Sequence, residues 1–241
     1  MRQVAVVGAG MTRFGKHMDR TMKDLAREAI ENAMQAAGVE KDAIEAAAVG
    51  NAVAGLITGQ ECIRGQVVLR EIGIGGIPVI NTENACASSS TAFHLAWLYV
   101  ASGMYDMVLA LGMEKLFHAD KKRTFQAIGS AIDVEQSESF ARKMSGEQSA
   151  GAGNSRSVFM DFYANLARQH MDRYGTTQKQ FARIAAKNHT NGSLNPYAQY
   201  QTRRSVEDVL SAPLIAAPLT RLMCSPIGDG AAAVLITTAE K

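Results

Sequence analysis

Short apolar runs and helix-patterned stretches take turns along the first 115 residues, and that alternation restricts the fold more than any other feature of the chain. VAVVGAG (4–10) reads as a buried strand ending in glycines. Thr21 and Asp24 have the spacing of a capping box, after which Leu25, Ala29, Ile30, Ala33, Met34 and Ala37 recur at helical intervals as far as Gly38. AAAVGNAVA (46–54) predicts a strand or strand-loop, and Ile63, Val67, Leu69 and Ile72 predict a helix that the glycines of IGIGG close. A short strand at Pro78 leads through small residues into a helix that stops at Gly103, and DMVLALGMEK (106–115) is a clear buried strand. This order predicts an α/β fold: a mostly parallel mixed sheet with helices on both faces, whose sites form at the carboxyl ends of strands.

The pattern changes at Leu116. Up to about Asn154 the chain is rich in Ser, Gly, Lys and Gln and has weak periodicity, the mark of a long ordered excursion. Phe159, Phe162, Tyr163, Leu166 and Tyr174 then line one side of a helix closed by Gly175. Thr177 with Gln180 caps another, carrying Phe181, Ile184 and Ala185 and ending before HTNGSLNP; Ser205 with Asp208 opens a short third before Pro213. AAAVLITT (231–238) restores strand character. The expected organisation is an α/β core at 1–115, a long helical insertion over the active site at 116–218, and a return to the core at 219–241.

Composition removes several function classes. A formal charge of +2 gives no electrostatic reason for a nucleic-acid or membrane partner, and aromatics at 6% are too few for a base-stacking surface. Cys62, Cys86 and Cys224 are widely spaced and form no CxxC pair, so neither a disulfide framework nor a metal site is expected. With no signal-peptide pattern and no stretch near the twenty apolar residues of a membrane span, the expected location is cytoplasmic. Gly8 and Gly10 match the first two glycines of the dinucleotide fingerprint, but Arg13 occupies the third position, where its side chain would obstruct the helix.

Cys86 is the residue with chemistry to offer. It stands between a strand and a helix, followed by Ala87, Ser88, Ser89 and Ser90, small enough to let a thioester approach the backbone. At a helix mouth a sulfur faces unpaired N–H groups and the positive end of the helix dipole, which favours the thiolate. An inert, buried cysteine is the ordinary alternative for such a residue.

Four stretches, in order, resemble the N-terminal half of a thiolase of the sterol-carrier-protein type: VAVVGAGMTRFGK at the start, ENACASSSTAF around Cys86, GMEKL at 112–116 and SPIGDGAAAVLITT at 225–238. Condensing enzymes of the ketoacyl synthase type share the cysteine at a helix start but join the last two strands differently. The resemblance implies a thiolase-like layered fold and an acyltransferase. Cys86 would attack the keto carbon of a 3-oxoacyl-CoA and pass the acyl group to CoA, or run the reverse Claisen condensation, with CoA as substrate and no cofactor. It also implies that SVFMDF (157–162) lines the pantetheine and acyl channel, making Phe159 and Met160 substrate contacts, whereas their aromatic and apolar pattern alone reads as ordinary core. The run Lys121, Lys122, Arg123 could meet the CoA phosphates, although charge runs usually form solvated faces.

The resemblance stops where a second half would begin, the half that supplies a histidine base and a second cysteine. His94 lies eight residues beyond Cys86, about 12 Å of helical rise and out of hydrogen-bond reach. His17, His118, His170 and His189 fall on loops or insertion helices. A C-terminal-half polypeptide is therefore an expected partner, and the resemblance further implies a second copy of the chain, with strand 78–80 as a pairing edge, and a small zinc-containing OB-fold protein. A non-catalytic CoA-binding or assembly subunit is the alternative. Ser89 stands where many thiolases carry glycine.

Overall fold

A computed structural model describes residues 1–137, 139 and 156–239; the later part of the expected excursion, 140–155, lies outside the described residues. The chain divides into two units, Met1–His118 with Gly228–Lys241, and Ala119–Ile227. The sequence placed these boundaries earlier, at 115 and 218, three and nine residues before those of the structure. Leu116 and Phe117 are drawn into the first unit because their amides bind Asp229, and β6 (Leu219–Thr220) stays with the second because it pairs in a hairpin with β5 (Leu214–Ala216).

The first unit is built on β1 (Val4–Met11), β2 (Ala46–Gly50), β3 (Val79–Thr82), β4 (Met107–Glu114) and β7 (Gly230–Thr238), in the order β1-β7-β4-β2-β3. β2 pairs with β3 and β4 in parallel, while β7 runs antiparallel to both β4 and β1. Four strands thus point one way and β7 alone opposes them, which gives the mostly parallel mixed sheet that the alternation predicts.

Side-chain alternation along the central strands feeds two separate cores. Leu109, Leu111, Ala47, Val49, Ala233 and Leu235 face α1 (Met22–Ala37) and α3 (Arg64–Ile72), which contribute Leu25, Ile30, Val68 and Leu69. Val108, Ala110, Ala46, Ala48 and Ile236 face the opposite way, toward Ala92, Ala96 and Val100 of α4 (Ser88–Ser102). A strand buried on both sides loses the polar half of its alternation, which is why 106–115 reads as one continuous apolar run.

Local signals hold well in α1. Thr21 accepts the N–H of Asp24, the Asp24 carboxylate accepts the N–H of Thr21, and Gly38 ends the helix in the left-handed conformation at φ +67°. β1 differs from expectation. It lies at one end of the sheet with Val6 52% and Val7 37% exposed, so it is not the buried strand its composition suggests. Its glycines serve packing: a Cβ on Gly8 would lie 2.2 Å from the Ala33 carbonyl and one on Gly10 2.3 Å from that of Ala29. The apparent start of a dinucleotide fingerprint is therefore a seat for α1. The stretch read as a strand or strand-loop at 46–54 pairs only as far as Gly50, and a short helix, α2 (Ala54–Thr58), follows.

In the second unit α5 (Lys121–Gly129) is followed by α6 (Val158–Tyr174), α7 (Gln178–Gly192) and α8 (Val206–Ser211). Thr177 with Gln180 and Ser205 with Asp208 both form capping boxes. α7 runs through His189 to Gly192, about one turn beyond expectation, because the polar run HTNG supplies no backbone conflict that would stop it. The aromatic side of α6 is not a core stripe: Tyr163, Leu166 and Tyr174 are exposed, and its buried residues are Asp161 and Ala164. Asp161 is neutralised by Arg156, whose Nε and Nη2 donate to it at 3.0 and 2.6 Å. No helix among the described residues is long and apolar enough to cross a membrane.

Candidate active site around Cys86

Cys86 does not open the helix directly. It occupies a 3-10 turn, Ala85–Ala87, set between the end of β3 and the first residue of α4. The side chain is exposed. Ala87, at the N-cap of α4, provides no side-chain acceptor, while the N–H of Ser88, the first residue of the helix, is taken by the Ala85 carbonyl within the turn. Among the described residues none buries Cys86, which is therefore not an interior cysteine of this structure.

The turn is specified by its neighbours. Ala85 has φ +44°, a left-handed conformation that alanine rarely adopts, and its N–H donates to Oε1 of Glu83 at 2.5 Å. Ser88, 3% exposed, accepts the N–H of Asn84 at 2.9 Å through Oγ and donates to the Ala85 carbonyl at 2.7 Å. Thr82 donates its hydroxyl to the Ser88 carbonyl at 2.9 Å, and the Asn84 amide donates to the hydroxyl of Thr91 at 3.1 Å.

Two glycines let the helix mouth settle on the sheet. A Cβ on Gly50 of β2 would lie 2.6 Å from the Ser88 carbonyl oxygen, and a Cβ on Gly112 of β4 would lie 2.2 Å from Oγ of Ser89. Ser89 fits there because Gly112 opposite it has no side chain. Sequence reasoning passed over both glycines; the readable signal was a glycine at or near the carboxyl end of each of two apolar strands.

Beside the turn's supporting strands sits a polar group that the sequence did not mark. Glu114, at the end of β4, accepts from the amides of Ala52 at 3.1 Å and Val53 at 3.3 Å and from Nδ2 of Asn51 at 3.2 Å. Burial nevertheless pushes its carboxyl above the ordinary carboxylate range, outweighing those donors. Asn51 also donates to the Met113 carbonyl at 2.7 Å, and its Oδ1 has no partner among the described residues.

Four of the five histidines are placed as structural or surface groups. His94 is exposed on α4 and stacks with Trp97, ring centroids 6.1 Å apart. His17 binds the Arg13 carbonyl at 2.8 Å, His189 binds that of Leu222 at 3.1 Å, and His170 packs against Tyr174. Phe159 and Met160 lie in the first turn of α6 in the second unit, both half-buried. Lys121, Lys122 and Arg123 form the exposed first turn of α5, and the Asp120 carboxylate caps it through the Lys122 amide at 3.0 Å.

The family model for "Thiolase, N-terminal domain" matches residues 4–240. The chain belongs to the thiolase family. An acetyl-CoA acetyltransferase of Methanothermobacter thermautotrophicus is 39% identical over the whole of this chain, which spans 58% of that protein. Sterol carrier protein 2 of Gallus gallus is 35% identical over 99% of the chain, corresponding to 42% of its own length. Among solved structures, the Ltp2-ChsH2(DUF35) aldolase superposes with a TM-score of 0.72 and 25% identity over 99% of this chain and 56% of that one. The thiolase match therefore runs nearly end to end, while the chain spans only 42–58% of the length of these relatives.

Membership explains why the four motifs are spread so widely. VAVVGAG supplies β1, GMEKL ends β4, and GDGAAAVLITT carries Asp229 and β7, so three of them build and fasten the thiolase sheet. Of the four motifs, ENACASSSTAF alone carries a cysteine, and that cysteine is exposed.

Proposed function

We propose that this chain is the nucleophile-bearing part of a thiolase-type acyltransferase. The observation that carries the reading is the exposed Cys86 in a strained turn at the mouth of a fifteen-residue helix, within a chain of the thiolase family. Cys86 sulfur attacks the keto carbon of a 3-oxoacyl-CoA. The bond between that carbon and the α-carbon breaks, leaving an acyl thioester on Cys86 and an acyl-CoA carbanion that takes up a proton. The thiol of a second CoA then attacks the acyl-enzyme, releasing the shortened acyl-CoA and the Cys86 thiol. In the reverse direction the same atoms perform a Claisen condensation. First-turn amides of α4 and the amide of Cys86 are suited to hold the oxyanion that forms at each attack. CoA enters as substrate, and the thioester itself acidifies the α-carbon.

The chain covers 58% of the acetyltransferase it resembles, which supports assigning the base and the second cysteine to further polypeptide. Phe159 and Met160 are proposed acyl-channel residues, a reading supported by the family resemblance of 157–162. Partner association is supported by the likeness to the Ltp2-ChsH2(DUF35) aldolase. A small zinc-containing OB-fold protein and a second copy of the chain are the proposed forms. Ile80, 37% exposed on the end strand β3, suits a sheet edge that pairs with a second copy, which gel filtration across a dilution series tests.

The test is intact-protein and peptide mass spectrometry after the chain, together with the complementary polypeptide, is incubated with acyl-CoA. A thioester adduct on Cys86, lost in Cys86→Ala with the fold retained, is the expected result. Unchanged turnover in Cys86→Ala would overturn the reading and favour a non-catalytic assembly subunit.

A further inference from the structure

The peptide groups on either side of Ala85 are each held by a different side chain. The N–H of Ala85 is held by Glu83 at 2.5 Å, and the carbonyl of Asn84 in the same peptide accepts the Ala87 N–H at 2.9 Å. The next peptide, which leads into Cys86, presents its carbonyl to the Ser88 hydroxyl at 2.7 Å and to the backbone N–H of the same residue. Backbone rotation at Ala85 is the only freedom between these two planes, so fixing both fixes its φ at +44°. An alanine remains in such a region only where its surroundings over-determine it. Ser88 is itself immobilised: its Oγ accepts the Asn84 N–H at 2.9 Å, its carbonyl accepts from Thr82 at 2.9 Å, and the missing side chain of Gly50 leaves room for it against β2.

We propose that Ser88 is a positioning residue for Cys86: by adding a second donor to the backbone N–H that already holds the Ala85 carbonyl, its hydroxyl keeps Ala85 left-handed and keeps the Cys86 sulfur presented at the mouth of α4. The inference rests on the reading of Cys86 as the nucleophile, and it adds that this presentation is maintained from two residues downstream. Ala85 would otherwise relax to negative φ, swinging the Ala85–Cys86 peptide and carrying the sulfur away from the first-turn amides.

The test is the alkylation rate of each cysteine in the 241-residue chain with iodoacetamide, read by peptide mass spectrometry. Exposed Cys62 serves as the internal reference, and half-buried Cys224 reports loss of fold in the second unit. Ser88→Ala is expected to lower the Cys86 rate relative to Cys62 by about fivefold or more. Ala85→Gly in the Ser88→Ala background is expected to recover the rate to within about twofold of the parent, because glycine takes positive φ without a steric penalty. A packing role for Ser88 would give no such recovery. An unchanged or increased ratio in Ser88→Ala, or a loss that Ala85→Gly leaves in place, overturns the proposal.

If Ser88→Ala fails to fold, thermal melts decide. Ala85→Gly alone should raise the midpoint and the double variant should fold; a lower midpoint with an unfolded double variant overturns the proposal. Alkylation reads the sulfur and not turnover. Absence of an acyl adduct with a normal response to these variants would therefore fault the acyltransferase reading and leave the role of Ser88 standing.

Discussion

Nζ of Lys115 lies 2.9 Å from Oδ2 of Asp229, joining the end of β4 to the residue before β7 across 114 positions of sequence. The carboxylate is wholly buried and also accepts the amides of Leu116 and Phe117 at 2.8 Å and of His17 at 3.1 Å, while the Lys115 ammonium also donates to the His17 carbonyl. Asp229 thus fastens three chain segments at one point.

Asp229→Ala is expected to destabilise the protein by about 3–5 kcal/mol, because it leaves an ammonium in the interior and orphans three amides. Lys115→Met should cost less, since the carboxylate keeps its other donors. Urea midpoints for the two variants check the order, and equal losses would contradict it.

Gly112→Ala is expected to cost about 1–3 kcal/mol through overlap with Ser89. Ser89→Gly in the same chain should restore most of that loss, because the close atoms are the Ser89 Oγ at 2.2 Å and Cβ at 2.7 Å, with Cα already at 3.8 Å. Gly50→Ala should have no such suppressor, as its clash is with the Ser88 backbone. Thermal melts of the single and double variants decide this.

Glu114 makes stability depend on pH in a defined direction. Its folded carboxyl holds the proton above the ordinary 4.5, so its contribution is most favourable below that pH and declines as pH rises from 4.5 to the raised folded value. The stability difference between the parent and Glu114→Gln should therefore fall across that interval and level off above it. Asp24 works oppositely: hydrogen bonds from Thr21 hold its carboxyl below 3.8, and it cancels in this difference. Denaturant titrations at a series of pH values measure the slope, and a rising difference would refute the assignment.

Thr21→Ala should remove a helix cap worth about 1 kcal/mol. A urea midpoint unchanged from the parent would show that the α1 capping box contributes nothing.

What could be read directly from the residues was whatever depends on neighbours in the chain. The caps at Thr21, Thr177 and Ser205, the stops at Gly38, Gly103 and Gly175, and the strands at β4 and β7 follow from groups a few positions apart that meet whatever the rest of the protein does. The family, too, was legible, because ENACASSSTAF and GDGAAA are local strings. The tertiary structure decided the rest. Only packing shows that Gly8 and Gly10 seat α1, that the aromatic side of α6 is exposed, and that the conspicuous Asp229 is a fastening. Only packing shows that Cys86 precedes its helix in a strained turn held by Ser88 and overlain on Gly50 and Gly112. Those relationships join residues up to 212 positions apart, or depend on which face of an element is covered, and a one-dimensional pattern carries neither distance in space nor the identity of what lies across an interface.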